Sequence, residues 1–434
     1  MSATISRTFA SLRVRNFRLY IFGQMVSLSG TWMQGVAQAW LVLKLTGSGT
    51  ALGLVTALQF LPVLLFGPVG GVVADRMDKR RVLYATQVTA GLLATALGLL
   101  VVTDTVQLWM VFALAAGLGF VNVIDNPARQ TFVLEMVGPT QLTNAVTLNS
   151  VMVNLARVVG PAAAGALIAT VGLGPCFLFN GGSYIAVLIA LALMRRAELH
   201  TAPVQPRRKG QLRDGFAYVR RTPALLAPLL MMAVIGTLTY EFQVTLPLVA
   251  KFTFHGDAGT YSTMTSLMGA GAVVGGLITA SRREASGRML AWSAIAFGVV
   301  VIGASVAPTL VIELAMLVVI GAASITFLAL GNSTLQLAAA PEMRGRVMAL
   351  WAVAFLGSTP IGGLLMGWVG QNLGPRWALL IGGIAALLAG GLAYRSLARL
   401  DQEKHLARQM VEEAEAAGTL AGEPEPVAAG AKAI

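Results

Sequence analysis

Two acidic side chains stand inside long apolar stretches, either well away from the ends or on a polar stripe, where an ionisable group is costly and therefore points to a function. Glu241 has Thr237 and Thr245 one helical turn to either side and no cation within its own stretch. Asp125 stands four residues before Arg129, on the same side of a helix. A carboxylate in apolar surroundings prefers its protonated form, whereas one beside a cation stays ionised. We therefore predict proton coupling at Glu241, with Asp125 as the second candidate.

Polar side chains recur in the first apolar stretch at steps of three and four residues, which places them on one helical face. They are Gln24, Ser27, Thr31, Gln34 and Gln38. A row of glutamines facing lipid would be expensive, so this face must meet protein or water. We predict that it lines a central cavity shared with the fourth, seventh and tenth stretches. The alternative is that it forms hydrogen bonds between helices.

Two further polar stripes follow, in the fourth and fifth stretches. The first is Asn122, Asp125 and Arg129, and the second is Thr147, Ser150, Asn154, Arg157 and Pro161. We expect Arg157 to reach the Asp125–Arg129 pair and to act with it as a gate or a structural charge. Polarisable side chains also offer a soft wall for varied ligands, with plain helix packing as the alternative. These are Tyr240, Tyr261, Met264 and Met268, next to Met231 and Met232.

The composition predicts which elements hold these residues. Apolar residues make up 56% of the 434 and charged residues only 12%, too few to cover a soluble protein of this size. The apolar stretches are long enough to cross a bilayer, where the backbone must satisfy its own hydrogen bonds, so we predict transmembrane helices. They are 19–43, 50–74, 82–102, 108–130, 145–171, 176–194, 223–250, 259–281, 289–307, 310–336, 347–370 and 376–397.

Basic residues indicate how the helices are oriented. With a cytoplasmic N-terminus, nearly all Lys and Arg fall on the cytoplasmic side, while Lys44, Lys251 and Arg376 fall outside. This asymmetry predicts that both termini are cytoplasmic. The polar segment 195–221 divides the spans into six and six, and LGPCFLFNGG (173–182) is echoed by LGPRWALLIGG (373–383). We predict an all-α membrane protein with two pseudo-symmetric six-helix bundles, 1–194 and 222–399, a linker 195–221, and a largely disordered cytoplasmic tail 400–434.

Several classes of function are disfavoured. The single Cys176 excludes an intrachain disulfide and a multi-cysteine metal site, and the three histidines lack metal-ligand spacing. The sequence has no Gly-Lys-Ser/Thr phosphate loop and no set of residues typical of catalysis. The net charge of +12 comes from short runs between apolar segments rather than from one basic face with interleaved aromatic residues. We expect no enzyme activity, no cofactor, no metal and no nucleic-acid partner.

The loop GGVVADRMDKRRVL (70–83) carries the most specific pattern. Gly71 removes a side chain where helices approach, and Asp75 with Arg76 lies at the membrane edge. This loop resembles the signature of the major facilitator superfamily, except that Asp78 replaces its second glycine. Four other segments resemble the transmembrane secretion effector branch, which includes enterobactin exporters. They are NFRLYIFGQMVSLSGTWMQGVAQAWLVLKLTGS (16–48), DNPARQTFVLEMV (125–137), NAVTLNSVMVNLARVVGPAAAG (144–165) and DGFAYVRRTPAL (214–225).

The resemblance implies an exporter of the bacterial inner membrane, exchanging protons for small amphipathic molecules that are siderophore- or drug-like. It implies a gating role for Asp75, through contact with the start of span 11. It also implies an antiporter-like bend at Gly160, Pro161 and Gly165. We expect a monomer whose partners are its substrate, protons and lipid. An importer or facilitator of the same fold, or a membrane receptor or scaffold that does not transport, are the alternatives.

Overall fold

Every regular element in the described part of the chain is a helix. The computed structural model describes residues 9–200, 211–280 and 286–416. The helices are α1 (Arg15–Thr46), α2 (Gly49–Arg76), α3 (Lys79–Val102), α4 (Leu108–Val171), α5 (Leu173–Leu193), α6 (Gln211–Arg221), α7 (Pro223–Leu238), α8 (Phe242–Leu248), α9 (Ala258–Ala280), α10 (Gly287–Ser305), α11 (Leu310–Ala338), α12 (Arg344–Leu356), α13 (Thr359–Asn372) and α14 (Pro375–Ala416). The first part of the predicted tail is therefore a continuation of α14.

The 64-residue α4 covers the predicted fourth and fifth spans and is broken at one glycine. Gly138 has φ 69° and ψ 175°, a left-handed conformation that glycine adopts without steric cost. Pro139 follows and disfavours a helical residue before it. His200 packs against Gly138, and its backbone N–H donates to the carbonyl oxygen of Glu135 at 2.8 Å. The turn between the two spans is thus held from the linker side.

Two predicted spans are interrupted rather than continuous. The seventh consists of α7 and α8, which are separated at Thr239–Glu241 and followed by a π-helical turn at Val249–Thr253. The eleventh consists of α12 and α13, separated at Gly357 and Ser358. Pro360 stands in the first turn of α13, where its missing N–H costs no hydrogen bond. Sequence periodicity alone does not reveal such breaks, because the apolar pattern continues across them.

The helices pack as two groups that are joined mainly by two contacts. α1 packs against α4 and α5, and α3 packs against α5, whereas α10 and α14 pack together beside α9, α11 and α7. Between the groups, α2 packs against α13 and α4 packs against α9. In the predicted numbering, span 2 contacts span 11 and span 5 contacts span 8. The two contacts are equivalent under the predicted pseudo-symmetry, which relates span 2 to span 8 and span 5 to span 11.

Ten helical segments of the described residues are long and apolar enough to cross a membrane. This supports the predicted multi-pass membrane protein. The broken α4 is one of the ten although it covers two predicted spans. The 32-residue α1 is not among them, because its polar stripe lowers its hydropathy. The exact number of twelve spans therefore stays a prediction.

Candidate functional site

Asp125 lies in a buried hydrogen-bonded cluster formed by α3 and α4. Its side chain accepts hydrogen bonds from Thr86 Oγ1 at 2.7 Å and from Gln87 Nε2 at 2.9 Å. Arg129 forms an ion pair with it from one helical turn away. Asp125 is 1% exposed. The pairing within α4 that the spacing predicts is present, and the carboxylate has several donors instead of standing alone.

The polar stripe of α1 lies inside the N-terminal group of helices. Gln24, Ser27 and Thr31 line a cavity of about 60 Å³ together with Asn122 and residues of α2, α3 and α5. That volume accommodates a few water molecules but not a drug-sized ligand, which needs at least about 300 Å³.

The C-terminal part of the stripe packs between helices. Gln34 Oε1 accepts a hydrogen bond from Asn180 Nδ2 of α5 at 2.6 Å, and Gln38 is buried. The prediction that the stripe lines a cavity shared with the seventh and tenth spans does not fit this placement. Gln34 makes the interhelical hydrogen bond of the alternative, whereas Gln24, Ser27 and Thr31 line a cavity with Asn122 of the fourth span.

Arg157 is separate from the Asp125 cluster, contrary to the expectation that it would reach it. Its guanidinium carbon lies 5.0 Å from the centroid of the Trp32 ring on α1. The separation follows from the close approach of α1 at Gly160, where an added Cβ would lie 2.6 Å from the carbonyl oxygen of Ser29. Arg157 therefore stacks on α1 instead of turning toward Asp125.

The segment of α4 after the break exposes two different stripes. Thr147 and Ser150 are exposed and Asn154 is half-buried. A neighbouring stripe, made of Val151, Leu155 and Val159, is 57%, 43% and 45% exposed. An apolar stripe of this kind suits lipid, whereas the polar one requires water or protein. The polar stripe therefore faces water or protein rather than lipid.

Thiol labelling distinguishes these surfaces. In a Cys176→Ser background, single cysteines at 147, 150 and 154 should react with a small hydrophilic maleimide. Cysteines at 151, 155 and 159 should react at least about tenfold more slowly, because thiolate formation and reagent access both require water. Cysteines at 24 and 27 should also be slow, since both positions are buried. Fast labelling at 24 and 27 with slow labelling at 147 and 150 would contradict the assignment.

Glu241 lies at the break between α7 and α8, against α13. An added Cβ at Gly362 would be 2.6 Å from Glu241 Oε1, and one at Gly363 would be 3.5 Å from Oε2. Glu241 is 2% exposed, and Oε1 has no hydrogen-bond partner among the described residues. The hydroxyl of Thr245 donates to the backbone carbonyl oxygen of Glu241 at 3.1 Å. The carboxylate is therefore packed on a glycine surface, and no cation of the described residues pairs with it.

The proposed soft wall is largely part of the core. Tyr261 and Met264 are buried in the apolar cluster, and Met268 packs against it. The hydroxyl of Tyr240 donates to the carbonyl oxygen of Ser324 at 2.7 Å, and its ring packs edge-on against Phe355. These positions match the packing alternative better than a ligand wall.

Glycines allow close helix approach at the predicted bend and near the signature loop. An added Cβ at Gly165 would lie 2.8 Å from the Cβ of Ser262 on α9. Pro161 lies within the helix α4. In α2, Gly71 is buried and Arg76 is exposed. The side chain of Asp75 is outside the part of the chain that the structure describes.

Glu313 is a buried acid that the sequence patterns did not single out. It lies in the first turn of α11 and is fully buried, and neither carboxylate oxygen has a hydrogen-bond partner among the described residues. The nearby cation is Arg376, whose Nη2 donates to the carbonyl oxygen of Ala307 at 2.8 Å. An acid inside the predicted span 310–336 was the available signal.

Comparison with known proteins identifies the family. Residues 6–429 match the family described as transmembrane secretion effectors. The chain belongs to this family. Its members are transporters of the major facilitator superfamily, which are not enzymes, as the sequence predicted.

Named relatives of this transmembrane secretion effector are transporters. It is 25% identical to the staphyloferrin A transporter of Staphylococcus aureus, over 78% of this chain and 85% of that protein. It is 22% identical to macrolide efflux protein A of Streptococcus pyogenes, over 85% and 92%. It is 23% identical to an enterobactin exporter of Escherichia coli, over 91% and 94%.

Solved structures support the fold. A bacterial homologue of the human lysosomal transporter Spinster, inward-facing and unoccupied, aligns with a TM-score of 0.69 at 16% identity, covering 89% of this chain and 98% of that one. A peptide transporter aligns with a TM-score of 0.71 at 12% identity, covering 88% and 94%. At this identity the likeness concerns the fold alone.

Proposed function

We propose that this protein is a secondary active transporter that exports small amphipathic molecules, siderophore- or drug-like, from the bacterial cytoplasm by alternating access. The names of its relatives support export: they include a macrolide efflux protein and an enterobactin exporter. The fold we propose has twelve spans in bundles 1–194 and 222–399, with both termini on the cytoplasmic side of the inner membrane, and works as a monomer.

The arrangement of the halves supports a state that is closed outside and open inside. Ser48 Oγ and the backbone N–H of Thr50 donate to Gln371 Oε1, at 2.6 and 3.0 Å. Lys251 Nζ donates to the carbonyl oxygen of Leu43 at 2.8 Å. All of these bonds join the halves at the ends that we assign to the outside. The exposed polar stripe of α4 lies toward the opposite end.

The observation that carries the coupling proposal is the position of Glu241. Its carboxylate rests on Gly362 and Gly363 of α13, and the backbone of Gly363 is in turn packed on Gly53 of α2. An ionised carboxylate here has no counter-charge among the described residues, so ionisation favours separation of α13 and entry of water. Protonation at Glu241 and closure of the α2–α13 crossing are therefore linked.

Transport by Glu241→Gln tests this proposal. A susceptibility profile of a deletion strain first identifies a transported compound. In inverted membrane vesicles energised with a proton gradient, Glu241→Gln should lose uphill accumulation of that compound while keeping binding and downhill exchange, because glutamine cannot release a proton. Glu313→Gln serves as the matched control. It should retain about half or more of the accumulation, because Glu313 lies outside the α2–α13 crossing.

The outcomes separate the alternatives. If Glu241→Gln keeps uphill accumulation and Glu313→Gln loses it, the proton carrier is Glu313. Proton-independent, downhill-only movement in the wild type would indicate a facilitator, and inward accumulation an importer. A wild type that binds but moves no compound would indicate a receptor or scaffold.

For Asp75 we keep the gating role, which predicts that Asp75→Asn slows turnover without weakening substrate binding.

A further inference from the structure

Arg157 is a cation in a membrane-spanning segment and has no anionic partner among the residues that the structure describes. Its Nε is buried and has no hydrogen-bond partner, and its guanidinium stacks on the ring of Trp32. Asp125 is engaged by Arg129, and Glu241 lies against α13, so neither carboxylate pairs with it in the part of the chain that the structure describes. An unpaired charge at such a position is expensive and marks a functional site.

The surroundings of Arg157 come from both halves of the protein. Its backbone carbonyl oxygen would lie 3.0 Å from an added Cβ at Gly269, so α9 packs directly on this turn of α4. Tyr240 of the seventh span lies nearby, with its hydroxyl donating to the carbonyl oxygen of Ser324. Major facilitator transporters bind substrate between their halves near the middle of the membrane. Arg157 occupies such a position.

A polar route leads to Arg157 from one end. Thr147, Ser150 and Asn154 lie on the same face of α4 at successive turns below it. The oxygen or nitrogen of each side chain bonds to the backbone of its own helix, Ser150 Oγ for example to the carbonyl oxygen of Val146 at 3.0 Å. The route therefore presents neutral polar groups and ends at a single positive charge.

We propose that Arg157 binds an anionic oxygen group of the transported molecule, a carboxylate or a comparable oxyanion borne on an apolar body. A guanidinium presents paired donors that match a carboxylate, and its stacking on Trp32 fixes the plane of those donors. This inference deepens the proposed export function and rests on it, since the bound molecule is taken to be the one that is transported.

A lipid headgroup offers the same chemistry as a free anion, because phosphate and carboxylate both pair with arginine. We commit to the free amphipathic anion. Arg157 lies near the middle of its span and is reached along polar side chains, whereas lipid headgroups concentrate at the two surfaces of the bilayer.

Three probes with one apolar body and different charges test the site on the full-length protein in phosphatidylcholine nanodiscs. They are 2-naphthoate, 2-naphthamide and 2-(aminomethyl)naphthalene, and equilibrium dialysis measures their binding. In the wild type, naphthoate should bind about tenfold or more tightly than the amide, as expected for one charge-assisted pair. Arg157→Gln should reduce this ratio to about one, and Arg157→Lys should keep part of it.

Matched variants and conditions decide each outcome. Arg376→Gln removes another arginine, one bonded to the carbonyl oxygen of Ala307, and should leave the ratio unchanged. A ratio that survives Arg157→Gln, tighter binding of the amine, or no binding of any probe would overturn the inference. Loss of the ratio when phosphatidylglycerol is added would assign the site to a lipid headgroup instead. Because dialysis needs no transport, an intact ratio with failed vesicle transport would contradict the export proposal alone.

Discussion

Replacing Gly53 by alanine should open the end of the protein that we assign to the outside. At this position α2 crosses α13 so closely that a Cβ on Gly53 would overlap the carbonyl oxygen of Gly363, and Gly367 meets Gly49 in the same way. The obstructing atoms belong to the backbone and cannot rotate away. Overpacking of this kind costs about 1–3 kcal/mol, or about 5- to 150-fold in the population of the closed state.

A disulfide across the crossing measures this shift. Ser48 and Gln371 are hydrogen-bonded across it, so a Ser48→Cys/Gln371→Cys pair in a Cys176→Ser background should oxidise readily. Adding Gly53→Ala should slow that oxidation by about fivefold or more. Gly67→Ala is the matched control on the same helix, since an added Cβ there has nothing within 4 Å. Equal oxidation with both substitutions would show that the crossing is looser than its geometry implies.

Removing the carboxylate of Asp125 should have the largest effect on stability. The change Asp125→Ala leaves Arg129, Thr86 and Gln87 without their shared acceptor. Breaking a buried ion pair from one side costs about 3–5 kcal/mol, because the remaining charge is buried without compensation. We therefore expect a clear fall in the thermal unfolding midpoint of the purified protein in detergent.

The double variant Asp125→Asn/Arg129→Gln should recover much of that loss, since it removes both charges together. Glu198→Ala breaks the exposed pair with Arg195 and should cost no more than about 1 kcal/mol. If Asp125→Ala were no more destabilising than Glu198→Ala, the cluster would not be the buried structural charge that its contacts indicate.

The sequence predicted those features that depend on periodicity and local spacing. Apolar length and the distribution of basic residues predict a multi-pass helical membrane protein, and the four-residue spacing of Asp125 and Arg129 predicts their pairing. Gly71 and the motifs around it correctly indicated the family. These signals are local, so no knowledge of the tertiary arrangement is needed to find them.

The direction in which a helical face points is a tertiary property, which no local pattern of the sequence contains. The stripe of α1 is correctly placed on one face, but Asn180 and the small cavity beside Gln24 show that this face turns into its own half. Likewise, Arg157 lies against Trp32 because Gly160 allows α1 to approach α4 closely. Glu241 meets two glycines more than a hundred residues away in the chain, a contact that no pattern around Glu241 contains.

The most direct test of the central claim, that the proton on Glu241 controls closure of the outer end, is a distance measurement that requires no substrate. Spin labels at the exposed positions 45 and 372, in a Cys176→Ser background, report the separation of the halves by pulsed electron resonance. Raising the pH should increase the long-distance population in the wild type and in Glu313→Gln, because an ionised Glu241 disfavours the closed crossing. Glu241→Gln should stay closed at every pH. If Glu241→Gln keeps the pH response of the wild type, Glu241 is not the residue that links protons to access.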